Sequence, residues 1–153
     1  MIDTIYNAKI LELAGNPPVA ARLQAPDATA KAHSKLCGST VTVDLAMEDG
    51  KVVAFGQDVK ACALGQASST VMAREIVGTE ADELRALRKA MIAMLKEGGP
   101  APTGRFADLA WLQPVKDYPA RHASTLLVFD AVVDALDQID ARASAARSEE
   151  HTS

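Results

Sequence analysis

Residues 41–59 read VTVDLAMEDGKVVAFGQDV, and their pattern decides what kind of fold this chain can adopt. Val41, Val43, Leu45 and Met47 on one side of Glu48-Asp49-Gly50-Lys51, and Val53, Phe55 and Val59 on the other, alternate with polar residues. Period-two alternation on both sides of an Asp-Gly pair is the signature of two half-buried antiparallel strands joined by a hairpin turn. Cys37 and Cys62, the two cysteines of the chain, flank this hairpin and fall together at its open end.

Two registers satisfy the pattern. A two-residue turn at Asp49-Gly50 sets Cys37 opposite Cys62. A three-residue connection pairs Val41 with Val59, Leu45 with Phe55 and Met47 with Val53, and offsets the cysteines by one position. In either register the thiols end within one position of each other. Directly opposed residues have Cβ atoms about 4.5–5.5 Å apart, close enough for two thiolates to share one metal at Zn–S distances of about 2.3 Å.

The chain has 153 residues, of which 48% are apolar, enough for one domain with its own core. The formal net charge is −4, with no Lys/Arg block interleaved with aromatics, which argues against nucleic acid as a partner. The N-terminal MIDTIYNAKILELAGN has neither a basic segment followed by an apolar core nor a cleavage site, and no apolar run approaches the ~20 residues of a membrane span. A cytoplasmic location and no membrane partner are expected. There, paired cysteines more often serve metal or sulfur chemistry than a structural bridge.

Helix signals surround the hairpin. The first helix is expected from Thr4 to Ala14, with Ile5, Tyr6, Ile10 and Leu13 on one face, ended by Gly15-Asn16-Pro17-Pro18. Val19 to Lys35 has no strong period and reads as a loop with a short strand or turn. After the hairpin, the small residues from Ala61 lead into a helix ending near Gly78, so Cys62 falls at or near a helix N-terminus, where unsatisfied N–H groups favour a negatively charged sulfur. Thr79 is positioned to cap the next helix, with Glu80, Asp82 and Glu83 in its first turn and Leu84, Leu87, Met91 and Met94 on its face, up to Gly98-Gly99-Pro100. Gly104 to Leu112 holds a short element with Trp111, and 112–116 reads as a loop. The last helix starts after Pro119 and buries Leu126, Leu127, Val132, Leu136 and Ile139, which gives one domain over 1–140. The tail, 141–153, is too polar to pack and is expected frayed or disordered.

The thiol pair is the feature with chemical content. Free cysteines are commonly inert and buried, but Cys37 beside Gly38 and Cys62 before a small-residue turn sit at element ends, where loops place functional groups. Two cysteines do not complete a tetrahedral site; His122, before the last helix, is the further candidate, ahead of His33, while His151 lies in the tail. No phosphate-loop pattern follows Gly98, Ser68-Ser69-Thr70 has no evident base partner, and the carboxylates mostly cap or solvate helices.

These motifs resemble the U-type iron-sulfur cluster assembly scaffolds: IscU, the N-terminal domain of NifU, and SufU. Leu36-Cys37-Gly38-Ser39 is similar to the first cysteine motif, Cys-Gly-Asp, with Ser39 in place of the aspartate. Cys62 with Ala67-Ser68-Ser69 resembles the second cysteine and its helix start. The helix beginning at Thr79 resembles the segment that marks the SufU branch. Pro119-Ala120-Arg121-His122-Ala123-Ser124-Thr125-Leu126 resembles the third motif, with Ala123 in place of the third cysteine and Arg121 beside it. Leu112-Gln113-Pro114-Val115-Lys116 is similar to the chaperone-recognition loop of IscU, with Gln113 for a proline, and chaperone binding is not carried over.

The resemblance implies an α+β fold: a small, mainly antiparallel sheet of about three strands with helices packed on one side. It implies a scaffold rather than an enzyme, with Cys37, Cys62 and His122 as ligands of zinc, iron or a transient [2Fe-2S] cluster. Sulfur would arrive from a cysteine desulfurase, with Cys62 the favoured acceptor, and other iron-sulfur assembly proteins would be partners. A homodimer supplying two cysteines per chain is one way to complete the ligand set. The alternatives are a metal-free adaptor or regulator of the assembly machinery and a dithiol redox sensor.

Overall fold

The computed structural model describes residues 7–18, 20–35 and 38–152, with side chains up to residue 145. Within these residues three strands form one antiparallel sheet in the order β1-β2-β3: β1 (Ala28–His33), β2 (Thr40–Glu48) and β3 (Lys51–Lys60). Among the described residues four α-helices accompany it: α1 (Ala8–Gly15), α2 (Ala63–Glu75), α3 (Ala81–Glu97) and α4 (His122–Thr152). Two 3-10 segments, Gly104–Asp117 and Pro119–Arg121, lead into α4. This is the α+β arrangement expected. α4 packs on β1 and β2, and α2 on β3.

Both registers considered for the hairpin occur in it. Glu48 pairs with Lys51 and Met47 with Val52 across a two-residue turn, while from Ala46↔Ala54 to Thr40↔Lys60 the pairing is that of the three-residue connection. The change lies at a β-bulge that takes up Val53. Asp49 (φ 53°) and Gly50 (φ 78°) both have positive φ, the type I′ geometry whose twist matches a hairpin. Met47 therefore pairs with Val52, not Val53, and Val53 is turned out to solvent, 43% exposed. A bulge leaves one residue unpaired and lets a two-residue turn coexist with the apolar register beyond it.

The row facing the helices contains Ala28, Ala30, Val41, Val43, Leu45 and Phe55, joined to Leu64, Met72, Met91, Leu127 and Phe129 in one core. The opposite face of β2 carries Asp44, fully buried. Arg22 closes on it from a loop, Nε to Oδ2 at 2.6 Å and Nη2 to Oδ1 at 3.1 Å; Leu23 N (3.0 Å) and Thr29 Oγ1 (2.6 Å) also donate to it. The segment without periodicity is thus a six-residue strand preceded by a loop clamped to the sheet.

Three expectations need correction. Thr79 does not cap α3: it is buried and its hydroxyl donates to Ile76 O (2.6 Å), while Glu80 takes the N-cap position. Using its proton to close the preceding turn, Thr79 joins α2 to α3 instead. α2 ends at Glu75, short of Gly78. Residues 112–116 belong to the 3-10 segment, with Leu112 and Val115 buried, so two apolar anchors hold what polarity alone suggested was a loop.

The Asn7 side chain caps α1 by accepting from Ile10 N (3.0 Å), and Ile10 and Leu13 are buried as expected; Ile5 and Tyr6 lie outside the described residues. Arg85 bonds to Asp137 (2.9 Å) and Asp140 (2.8 Å), and Arg88 to Asp130 (2.8 Å), tying α3 to α4. The helical backbone of α4 continues to Thr152, with exposed side chains from Asp140 to Ala145.

Candidate functional site

The site is built where the sheet opens. Thr40↔Lys60 is the last pair between β2 and β3, so Ser39 and Ala61-Cys62 leave the sheet at the same end. On the Ser39 side the chain turns sharply: Gly38 N donates to Ser34 O and Ser34 N to Ser39 O, both at 2.9 Å, with Gly38 at φ 70°. Ser39 is buried and His33 closes β1 opposite Thr40. Cys37 lies outside the described residues.

Cys62 ends the connection from β3 and starts α2. Its extended backbone (φ −67°, ψ 173°) makes it the N-cap residue, as expected from the small residues that follow, and no side chain caps this helix. The thiol is half-buried and donates to Ser124 Oγ at 3.5 Å. Ser124, 1% exposed, donates in turn to Arg121 O at 3.2 Å.

Small residues on α2 allow this meeting. A Cβ on Gly65 would stand 2.8 Å from Ala61 Cβ and 3.0 Å from Ser124 O, so only glycine lets the start of α4 come this close. One turn on, buried Ser68 Oγ lies 2.9 Å from Leu64 O and 2.8 Å from Thr125 O, its single proton shared between the two helices. Ser68, in the Ala67-Ser68-Ser69 run, is thus a helix–helix contact that holds Cys62 near Ser124.

His122 is buried with Nε2 at 3.0 Å from Val115 O and 3.2 Å from Lys116 O. Both neighbours are acceptors, so Nε2 carries the proton, and the ring pins the 3-10 segment to α4. Nδ1 is the nitrogen left for any ligand. Ala123 is exposed and Arg121 half-exposed. Among the described residues, no group of three or more His, Cys, Asp and Glu side chains is placed to hold a metal ion.

The comparisons with known proteins agree with this geometry. Residues 5–125 match the NifU-like N terminal domain family. The chain belongs to that family. The resemblance to U-type scaffolds read from the cysteine motifs is borne out. The chain is similar to the iron-sulfur cluster assembly scaffold protein IscU of Thermotoga maritima, 25% identical over 135 residues that cover 88% of this chain and 94% of that one. Its fold matches the crystal structure of a nitrogen-fixing NifU-like protein (N-terminal) from Brucella abortus with a TM-score of 0.89 and 65% identity, covering 91% of this chain and 96% of that one. A putative SUF-system scaffold from Fervidobacterium islandicum shares the fold at a TM-score of 0.77 and 23% identity, covering 86% and 96%.

Sequence reasoning placed Cys62 correctly on its helix but missed Ser124. The signal was faint: it is the neighbour of Ala123, the position where the family motif has cysteine. Among the described residues, no helix is long and apolar enough to cross a membrane.

Proposed function

We propose that this NifU-like protein is an iron-sulfur cluster assembly scaffold that receives sulfur and metal at Cys37 and Cys62 and passes the product on. The observation that carries the reading is the half-buried Cys62 sulfur at the N-cap of α2, 3.5 Å from Ser124 Oγ, at the end of the sheet from which Ser39 also leaves. An S···O separation of about 3.5 Å is also what one tetrahedral ion imposes on a thiolate and an oxygen bound at about 2.3 Å and 2.0 Å. Ser124 is therefore spaced to assist where the third cysteine is replaced by Ala123. His122, whose Nε2–H is held by the Val115 and Lys116 carbonyls, remains a further candidate ligand through Nδ1.

The metal and cluster are cargo, zinc or iron and a transient [2Fe-2S] unit. In the loading step the Cys62 thiolate attacks the outer sulfur of a persulfide on a cysteine desulfurase. The donor's S–S bond breaks as a new one forms on Cys62, and the desulfurase leaves as thiolate, with no net oxidation. A scaffold of this kind hands over its load rather than turning over a substrate.

Anaerobic reconstitution with ferrous iron, cysteine and a desulfurase tests the proposal. A coloured protein containing iron and sulfide, which loses both in Cys37→Ser and Cys62→Ser variants, is expected. A colourless, metal-free wild type would instead assign it to the metal-free adaptors.

A further inference from the structure

β3 breaks its own apolar row at Gln57. Paired with Val43 and flanked by Phe55 and Val59, this residue points its amide at α2, and Nε2 donates to Ser69 O at 3.2 Å. Its Oε1 is buried without a partner among the described residues. So are Ser69 Oγ and Thr70 Oγ1, on side chains that are each 1% exposed.

All three residues border one cleft of about 180 Å³, between the end of α1, β3 and α2. Ala14, Pro17 and Val59 supply its apolar wall and Gln66 its exposed rim. Cys62 is not among the walls.

We propose that this cleft is a binding site for a small neutral amide. The lining holds no charged side chain, so an ion entering it would lose its hydration without a counter-charge. Gln57 Oε1 can only accept, which calls for an N–H donor on the ligand. The Ser69 and Thr70 hydroxyls can donate, which calls for a carbonyl. One amide group offers both, and its attached methyl or methylene groups match Ala14, Pro17 and Val59.

The test is titration of the isotope-labelled protein with propionamide, with propionate as the charged analogue of similar shape, followed by NMR. Saturable shifts confined to Gln57, Ser69, Thr70 and their neighbours are expected with propionamide and not with propionate. The Ser69→Ala/Thr70→Val double variant should bind about tenfold more weakly. A third arm uses N-acetylglutamine methylamide: tighter binding than propionamide makes the natural amide peptide-borne, weaker binding makes it a free small molecule. Because the variant removes hydroxyls that lack partners, it should melt no lower than the wild type. The proposal is overturned if neither amide saturates, if propionate binds as well as propionamide, or if the double variant binds both amides unchanged. A double variant that melts well below the wild type overturns it too, since the hydroxyls would then already have partners.

Discussion

At the scale of single residues, the site depends on what stands beside Cys62. The Cys62 position was legible because an N-cap followed by small residues leaves a sequence pattern. Ser124 was not legible, because a serine three residues after Arg121 looks like any residue in the first turn of a helix, and only the packing of α2 on α4 aims it at sulfur. This makes a prediction. In a tetrahedral zinc site two sulfurs stand about 3.8 Å apart, close to the 3.5 Å already separating Cys62 Sγ from Ser124 Oγ. Ser124→Cys should therefore tighten zinc binding by at least about tenfold, ~1.4 kcal/mol, measured by competition with a chromophoric chelator. Ala123→Cys, at the exposed neighbouring position, is the control. Tighter binding in the control but not in Ser124→Cys would move the third ligand to position 123.

At the scale of elements, the hairpin shows how much a pattern can say. Alternation predicted both strands and most of the pairing, and the two registers that remained open were both present, reconciled by one bulge at Val53. No composition signal marks that bulge. The cap at Thr79 failed for a different reason: the helix starts one residue later, with Glu80 at the N-cap, and the Thr79 side chain turns back to donate to Ile76 O in the preceding turn. The contact between α2 and α4 rests on Gly65, which nothing in the sequence distinguishes from a flexible glycine. Gly65→Ala would bring a methyl to 3.0 Å from Ser124 O and 2.8 Å from Ala61 Cβ, so the start of α4 has to move away. Overpacking of this kind costs about 1–3 kcal/mol. Urea denaturation should show that loss, and alkylation of Cys62 in the folded protein should speed up as Ser124 withdraws. An unchanged alkylation rate with lowered stability would mean that the helices adjust without opening the site.

At the scale of the whole molecule, the least legible feature is the most buried charge. Asp44 sits in an alternating strand at a position that should face solvent, and the sequence pattern assigns it there; the loop before β1 instead folds over it. Burial by itself disfavours the ionised carboxylate, but the Arg22 guanidinium, the Thr29 hydroxyl and the Leu23 N–H outweigh it and hold Asp44 below the usual carboxylate range. A group whose folded pKa is depressed adds stability that is present above its unfolded value, about 3.9, and is lost as pH falls through the folded value. The wild type should therefore lose stability on acidification from about pH 4 downward, as the loop loses its grip on the sheet. Asp44→Asn keeps the shape and an acceptor oxygen for the loop, but not the charge. It should cost about 1–3 kcal/mol at pH 7, and the cost should shrink steadily below pH 4, where the unfolded chain takes up the proton that the folded carboxylate resists. Urea midpoints measured at pH 7, 5, 4 and 3 for both proteins decide the matter. A gap that stays constant across that range would show that the clamp on the 20–23 loop works by shape rather than by charge.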